Sequence, residues 1–206
     1  MALRRRGAEE RQGDPVDLLV VGLGNPGKEY EGTRHNVGAM TVEQLCREHG
    51  AVLKVEPRQR AALAIIRLGD AKVAVSFPTT YMNESGAALP GLLKRVGVSD
   101  PAHILVIHDE LDLDAGRLQL KAGGGIAGHN GLRSIKAVVG TAEFLRLRIG
   151  VGRPPSREAG ATWVLSRARG SDLVAITAGI SAACEAVELV VSQGLERAMT
   201  SVNTRG

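Results

Sequence analysis

Aromatic residues are scarce in this chain: its 206 residues include two Phe, two Tyr and one Trp. Proteins that bind single-stranded nucleic acid through an RRM or an OB fold stack bases on aromatic side chains, so the composition argues against that class. The net charge is nevertheless +4, which favours an acidic partner such as nucleic acid, with simple solubility as the alternative. Contacts to nucleic acid would then go mainly to phosphates.

Cysteines and long hydrophobic runs are also few. Cys46 and Cys184 lie far apart in separate helical patterns, which is more typical of two buried thiols than of a disulfide and suits a reducing cytoplasm. The start of the chain is basic but lacks the apolar core of a secretory signal, and we expect residues 1–15 to form a disordered tail. The stretch from Leu173 to Cys184 is too short to cross a bilayer. We therefore expect a cytoplasmic protein with no membrane partner, in which residues 16–206 form one domain.

Apolar runs and helical patterns alternate along the rest of the chain. The helices are predicted over 36–49, 84–96, 129–139 and 171–193, with Asn83 as the cap of the second. The strands are predicted over 17–22, 62–68, 72–77, 103–108, 116–121 and 144–151, with a possible edge strand over 161–165. This alternation indicates the α/β class: a single-domain three-layer sandwich in which a twisted, mixed but mostly parallel β-sheet is flanked by helices.

The segment that follows the first predicted strand, GLGNPG at 22–27, has the glycine spacing of a dinucleotide-binding loop. Such a loop leads directly into a helix, whose free N–H groups and dipole bind a pyrophosphate. Pro26 has no N–H and disfavours helical geometry at Asn25. A dinucleotide site also uses an acidic residue at the end of a following parallel strand to bind the ribose hydroxyls. The sequence has no clear candidate for that residue. We therefore interpret the loop as one wall of a polar site, and not as a nicotinamide site.

Polar residues follow several of the predicted strands. Sites in open α/β sheets form at the carboxyl ends of strands, and six candidates fall there: Asn25, His35, Asn83, Asp109, His129 and Asn130. Each has an ordinary structural explanation when taken alone. Together, and with no serine or cysteine in a nucleophile elbow, they favour a water nucleophile.

A metallohydrolase is an alternative for the same residues, because histidine and carboxylate are common zinc ligands. Its ligands would be His35, His108, Asp109 and His129. His108 and Asp109 are neighbours on a predicted strand, so their side chains point to opposite faces. That geometry argues against a site that uses both.

Five segments together resemble the bacterial peptidyl-tRNA hydrolase family. They occur in order between residue 18 and about 155 and read GLGNPGxxYxxTRHN, PTTYMNxSG, IHDELDL, GGGxxGHNGLRS and FxRLRIGxGRP. The resemblance implies a monomeric enzyme that hydrolyses the ester between a peptide and the terminal ribose of tRNA, without metal or organic cofactor. A catalytically inactive RNA-binding or splicing-factor relative is the alternative, and the joint presence of the polar residues above argues against it.

The resemblance also implies a role for each candidate. His35 is the general base and Asp109 orients it, which suits a histidine with a near-neutral pKa. The amide of Asn25 acts with them, by positioning water and donating to substrate carbonyls. The remaining residues bind substrate: Tyr30 and Met82 as cleft walls, Asn83 on the substrate, His129 and Asn130 on a gating loop, and Lys121 and Arg148 on tRNA phosphates.

Two segments depart from the family pattern. Ala127 stands where the family usually has glycine, and Ile126 replaces a polar neighbour, so the gating loop is expected to move differently. If the backbone at Ala127 needs a positive φ, alanine costs about 1 kcal/mol there. Residues 55–60 lack the small-residue and lysine pattern that is usual in the family. The resemblance therefore does not define the groove on the peptide side.

Overall fold

One seven-stranded sheet organises the chain in the computed structural model, which describes residues 15–126, 128–156 and 158–204. The strand order is β2-β3-β4-β1-β5-β7-β6. The four central strands pair in parallel, whereas β2–β3, β3–β4 and β6–β7 are antiparallel. The strands are β1 (Leu18–Gly22), β2 (Lys54–Glu56), β3 (Ala61–Leu68), β4 (Ala71–Pro78), β5 (Ile104–Glu110), β6 (Leu118–Ala122) and β7 (Leu145–Gly150). The predicted mixed sheet is therefore confirmed.

Helices cover both faces of this sheet. The α-helices are α1 (Val37–Glu48), α2 (Leu89–Val96), α3 (Asn130–Val139), α4 (Gly160–Val164), α5 (Gly170–Gln193) and α6 (Leu195–Thr204). Three 3-10 helices span Arg34–Asn36, Met82–Ala88 and Pro101–His103. Most of the predicted tail lies outside the described residues, as does Ala127, so those two expectations stay untested.

The sheet separates two hydrophobic cores, as the alternation of side chains along β5 illustrates. Leu105 and Ile107 belong to the core under α1, α5 and α6. Ile104 and Val106 belong to the core under α2 and α3. All four are essentially inaccessible to solvent, as expected for a strand buried on both faces. The result is the three-layer arrangement that the alternation of patterns predicts.

Two glycines let the first helix approach the sheet closely. A Cβ atom on Gly22 would lie 2.2 Å from the carbonyl oxygen of Gly38, and one on Gly38 would lie 2.2 Å from that of Ile107. Larger residues at either position would push α1 away from β1 and β5. Because His35 lies two residues before the start of α1 and Asp109 is the penultimate residue of β5, this close approach brings the two candidate residues together.

Two predicted elements are wrong. Residues 161–165 form helix α4 and not an edge strand: β6 already pairs with the free side of β7, and the Trp163 indole donates to the carbonyl of Gly152 at 3.0 Å. Asn83 does not cap a helix, because it lies inside the 3-10 helix that begins after Tyr81 and precedes α2.

One edge strand of the sheet, β2, escaped prediction, whereas the other, β6, corresponds to the strand predicted over 116–121. Strand β2 is only three residues long, too short for an alternating pattern. At the other edge, the Asn203 side chain of α6 accepts from the N–H of Leu120 at 2.8 Å and donates to its carbonyl at 3.1 Å. An amide side chain thus pairs with exposed backbone groups of β6, which protects that edge from pairing with another chain.

The long helix α5 packs against its neighbours along one face, and both cysteines are buried. Of the helices in the described part of the chain, α5 alone is long and apolar enough to cross a membrane by length and composition, and it packs against α1, α6 and β7. Cys46 and Cys184 are free, buried thiols, as predicted. Burial raises the pKa of Cys46 to about 11 and that of Cys184 to about 12, so both stay protonated at neutral pH.

Candidate active site

A buried carboxylate at the end of β5 holds the predicted base. The Asp109 side chain is 3% exposed, and its Oδ1 lies 2.8 Å from Nδ1 of His35. An ionised carboxylate only accepts hydrogen bonds, so Nδ1 of His35 carries the proton and donates it. In neutral His35 the other ring nitrogen, Nε2, is then the acceptor, which is what a general base requires.

A second histidine shares this carboxylate oxygen. Nε2 of His129 lies 2.9 Å from Oδ1 of Asp109, and Nδ1 of His129 accepts from the N–H of Leu132 at 3.4 Å as the N-cap of α3. Both ring nitrogens of a neutral His129 are therefore used. The resemblance places His129 only on a gating loop, whereas in the structure it also ties the start of α3 to the candidate dyad.

Charge and burial oppose each other at the dyad. Burial lowers the pKa of His35, but the charge of Asp109 and the hydrogen bond to it outweigh burial, so the pKa is raised above its ordinary value of 6.5. Burial raises the pKa of Asp109, but His35 and His129 outweigh that and hold the pKa far below its usual range. Asp109 therefore stays ionised at every physiological pH and can stabilise a charged His35.

His108 points away from the dyad, as the alternation along a strand predicts. It is buried, and its Nδ1 lies 2.7 Å from the backbone oxygen of Asp109. Burial, with a contribution from His129, lowers the pKa of His108 to about 3, so this ring is neutral. The rings of His108 and His129 pack edge to face, with the centroids 4.9 Å apart.

Of the four metal ligands considered in the sequence, three lie together in the structure. Among the described residues, ligand atoms of His35, Asp109 and His129 lie within 4.8 Å of one another, so these three side chains could hold an ion. His108 does not join them. In the structure the three side chains bond to one another, because both imidazoles lie within hydrogen-bond distance of the carboxylate.

Asn25 is fixed in the loop after β1 by a neighbour that sequence reasoning missed. The Asn36 side chain accepts from the Asn25 N–H and donates to the Asn25 carbonyl, each at 2.9 Å. Oδ1 of Asn25 accepts from the N–H of Met82 at 2.8 Å. The amide nitrogen of Asn25 is then the group left for a ligand. Asn36 was visible as the last letter of the TRHN segment, but its role depends on the fold of the loop.

These residues line a cleft of about 1050 Å³. The cleft includes seven predicted residues: Asn25, His35, Met82, Asn83, Asp109, His129 and Asn130. Met82 lines the cleft and is also buried among core residues. Tyr30 does not line the cleft; its ring packs edge-on against Tyr81, which does, with the centroids 6.4 Å apart. Direct contact of Tyr30 with substrate therefore stays a prediction.

Arg34, beside the candidate base, anchors the far wall of the cleft. This side chain is 5% exposed, and its guanidinium carbon lies 3.9 Å from the ring centroid of Trp163. All three guanidinium nitrogens donate to the chain over 3.1 Å or less: to the carbonyl oxygens of Val151 and Arg167, to the Ser166 hydroxyl and to the Asp172 carboxylate. Arg34 thus links the turn that carries His35 to the segment containing α4.

The two predicted phosphate contacts lie outside the cleft and differ from each other. Oε2 of Glu110 accepts from the Arg148 guanidinium at 2.9 and 2.6 Å, and the Gln119 side chain accepts from it as well. Arg148 is therefore not a freely solvated charge. Lys121 is partly exposed and has no ion-pair partner within the described residues.

The loop before α3 is held at both ends. The Arg146 guanidinium donates to the carbonyl oxygens of Gly123 and Gly125, and His129 holds the other end through Asp109. Ile126, one of the two departures from the family pattern, packs partly buried against the core under α2 and α3. An apolar side chain therefore fits the described environment at that position.

Taken together, the site is that of a water-activating hydrolase on an α/β sheet: a histidine–aspartate dyad in a cleft, with amides beside it. Within the described residues, no serine or cysteine is hydrogen-bonded to His35. The family model for peptidyl-tRNA hydrolase matches residues 19–206, and the chain belongs to the peptidyl-tRNA hydrolase family.

Individual relatives agree with this membership. The chain is 45% identical over 189 residues to a peptidyl-tRNA hydrolase of Mycolicibacterium vanbaalenii, covering 92% of this chain and 98% of that protein. It is 46% identical to one of Cutibacterium acnes, covering 90% and 98%. A crystal structure of peptidyl-tRNA hydrolase from Acinetobacter baumannii superposes with a TM-score of 0.86 at 39% identity, covering 92% of this chain and 96% of that one.

Proposed function

We propose that this enzyme hydrolyses the ester that joins a peptide, or an N-blocked amino acid, to the 3′-terminal ribose of tRNA, and so returns tRNA to translation. The observation that carries the proposal is the hydrogen bond between Nδ1 of His35 and Asp109 in the cleft of a chain from this family. Nothing favours the alternative of an inactive RNA-binding relative, because the dyad is assembled.

The proposed reaction begins at Nε2 of His35, which takes a proton from a water molecule in the cleft. The water oxygen attacks the ester carbon, and the negative charge moves to the carbonyl oxygen. When the tetrahedral intermediate collapses, the bond from carbon to the ribose oxygen breaks, and that oxygen takes the proton from His35. Asp109 stabilises the transient imidazolium and does not itself become protonated.

The amide groups supply the complementary part of the mechanism. Oδ1 of Asn25 is used by the N–H of Met82, so its nitrogen is positioned to donate to an oxygen in the cleft. The Asn83 side chain makes no hydrogen bond with any described residue, although it lines the same cleft. Donors aimed at the place where negative charge develops stabilise the transition state without changing their own charge.

Further parts of the proposal concern partners and location. Lys121 and Arg148 bind phosphates of the tRNA body, Tyr30 supports the cleft wall through Tyr81, and His129 and Asn130 position the terminal nucleotide. The protein acts as a monomer in the cytoplasm, where peptidyl-tRNA arises. The basic composition supports the nucleic-acid partner, since phosphate contacts position a substrate without reading its sequence.

The test is release of the blocked amino acid from N-acetyl-aminoacyl-tRNA by the wild type and by His35→Ala. We expect turnover by the wild type and a loss of about 10²- to 10⁴-fold in the variant, the range for a general base. His103→Ala is the matched control, because His103 lies at the other end of β5 in a 3-10 helix. Absence of wild-type turnover, or equal rates in all three proteins, would contradict the proposal.

A further inference from the structure

His108 is a buried histidine with one ring nitrogen that no described residue satisfies. Its Nδ1 lies 2.7 Å from the backbone oxygen of Asp109, so this nitrogen carries the proton and donates it. Nε2 of the neutral ring is then an acceptor, and it has no hydrogen-bond partner among the described residues. A buried acceptor without a donor costs free energy, so such a group usually binds an ordered water.

Arg146, on the neighbouring strand, has an unpartnered donor. The side chain is 2% exposed, and its two terminal nitrogens donate to the carbonyl oxygens of Gly123 and Gly125 in the loop before α3. Its third nitrogen, Nε, is buried and has no partner within the described part of the chain. Arg146 therefore holds the loop with two nitrogens and leaves the third for another group.

The two unpartnered atoms belong to the same layer of the molecule. Val106 on β5 is the register partner of Arg146 on β7, and it packs in the core under α2 and α3. His108 lies two residues further along β5, so its side chain is on the same face of the sheet. Burial is the main cause of the low pKa of His108, and the positive charge of Arg146 contributes to it, which indicates that the two groups are close.

The loop before α3 is shaped to receive this guanidinium. Gly123 and Gly124 have φ values of +61° and +89°, which residues with a Cβ atom rarely adopt. A Cβ atom on Gly124 would also lie 3.2 Å from a terminal nitrogen of Arg146. Arginine presents a planar fork that reaches two carbonyl oxygens at once, whereas lysine has a single nitrogen. The contact therefore requires arginine and glycine together.

A chain of contacts leads from His108 to the candidate base. The His108 ring packs edge to face on His129, which bonds to the carboxylate that holds His35. We propose, resting on the proposed function, that one ordered water donates to Nε2 of His108 and accepts from Nε of Arg146, and that these two residues position the dyad. Such a water satisfies both buried groups at once. His108 and Arg146 are positioning residues, since neither lines the cleft.

The first experiment looks for the water by NMR in the intact protein. The Nε–H of Arg146 should give a slowly exchanging 1H–15N signal with a cross-peak to a long-lived water, and Arg146→Lys identifies the signal by its loss. In His108→Phe, which keeps a ring against His129 but has no ring nitrogen, the cross-peak should disappear. A signal without a water cross-peak in the wild type, or one that exchanges as fast as that of the exposed Arg95, would overturn the inference.

The second experiment measures hydrolysis of two esters of the same N-acetyl amino acid, that of adenosine and that of full-length tRNA. We expect Arg146→Lys and His108→Phe each to lose roughly tenfold in kcat on both esters with KM unchanged, because a positioning residue acts on the chemical step. The double variant should lose roughly tenfold and not a hundredfold, since both substitutions remove the same water. Arg95→Lys, which changes an exposed arginine on α2, should match the wild type.

The dyad itself supplies a signature that a loss of stability would not produce. The low-field 1H signal of the Nδ1 proton of His35 should shift in both single variants and stay in place in Arg95→Lys, with all spectra recorded well below each unfolding midpoint. An unchanged His35 signal means that the two residues do not position the dyad.

The kinetic results can also contradict the inference. A loss confined to the tRNA ester, seen as a higher KM, means that Arg146 contacts a phosphate, as its register neighbour Lys121 is proposed to do. Losses that multiply in the double variant mean that the two residues act separately. If the wild type hydrolyses neither ester, the proposed function fails, whereas the NMR search for the water still decides this inference.

Discussion

The dyad and the groove between the 3-10 helix Met82–Ala88 and α3 use their polar groups in opposite ways. At the dyad, His35, Asp109 and His129 bond to one another and are largely buried. In the groove, Arg60 and Arg133 are exposed and lack carboxylate partners among the described residues. Polar groups whose hydrogen bonds are made within the chain set geometry, whereas groups with free donors are available to a ligand. The proposed chemistry thus lies with groups that are paired inside the chain, whereas the exposed arginines keep donors that are free of carboxylates among the described residues.

Arg34 and Arg148 differ from each other in the same respect, that is, in how far their hydrogen bonds are made within the chain. Arg34 is nearly inaccessible, and all its nitrogens donate to the chain, so it belongs with the groups that set geometry. Arg148 is intermediate, because Glu110 neutralises it but 15% of its side chain stays exposed. Residue type alone therefore does not say whether an arginine binds substrate.

The largest expected effect comes from breaking the dyad through Asp109→Asn. An asparagine in this place can donate to Nδ1 of His35, which leaves the proton on Nε2 and removes the base. We expect kcat to fall by about 10²- to 10⁴-fold, measured on N-acetyl-aminoacyl-tRNA. Asp114→Asn, in the loop after β5, is the matched control.

The same variant has a signature in the pH profile. The wild-type kcat/KM should rise with pH as His35 loses its proton, with an inflection above 6.5, because Asp109 raises the pKa. In Asp109→Asn burial acts alone and lowers the pKa, so the inflection of the residual activity should move below that value. An inflection that stays in place would mean that another group controls the profile.

A smaller effect, on stability, is expected for Arg34→Ala. The substitution removes four hydrogen bonds, one of them to the buried carbonyl of Val151, and the stacking of the guanidinium on Trp163. We expect the free energy of unfolding to fall by about 2–4 kcal/mol, measured by urea denaturation. Arg197→Ala on the exposed side of α6 should change it by less than about 0.5 kcal/mol. Equal effects would show that Arg34 is not an anchor.

The smallest effect is expected for Lys121→Ala. Without this cation one tRNA phosphate is no longer neutralised, so KM for full-length tRNA should rise a few-fold. The slope of log kcat/KM against log salt concentration should weaken by about 0.9. Hydrolysis of the ester between an N-acetyl amino acid and adenosine should not change. Lys54→Ala is the control, since Lys54 lies on β2 at the opposite edge of the sheet. A lower kcat on the adenosine ester would contradict a role confined to the tRNA body.

Sequence patterns predict the long elements and fail at the short ones. The buried run of β5 and the helices α1, α3 and α5 follow from periodicity. Residues 161–165 read as a strand because they are apolar, but they fold as α4 since the sheet has no free edge beside β7. Asn83 reads as a cap, yet the preceding turn takes a 3-10 form. Such choices depend on neighbours that are distant in sequence.

Some features of the candidate site also follow from the sequence, whereas others require the structure. The family segments predict His35, Asp109 and the three asparagines as site residues, because the proposed chemistry restricts which residue types can serve there. They do not reveal that Asn36 fixes the backbone of Asn25 or that Tyr81, and not Tyr30, lines the cleft. Those relations require coordinates, since each joins side chains through packing and not through spacing.

The sequence by itself determines the class of the fold and the family, and it predicts the residues of the candidate site, because periodicity and residue type are local properties. Only the tertiary structure decides that one carboxylate serves two histidines, that Arg148 pairs with Glu110, and that the cleft and the groove between the 3-10 helix Met82–Ala88 and α3 share Asn83 and Asn130. Hydrogen bonds and ion pairs form between groups tens of residues apart. Their partners are therefore chosen by the close packing of helices on the sheet.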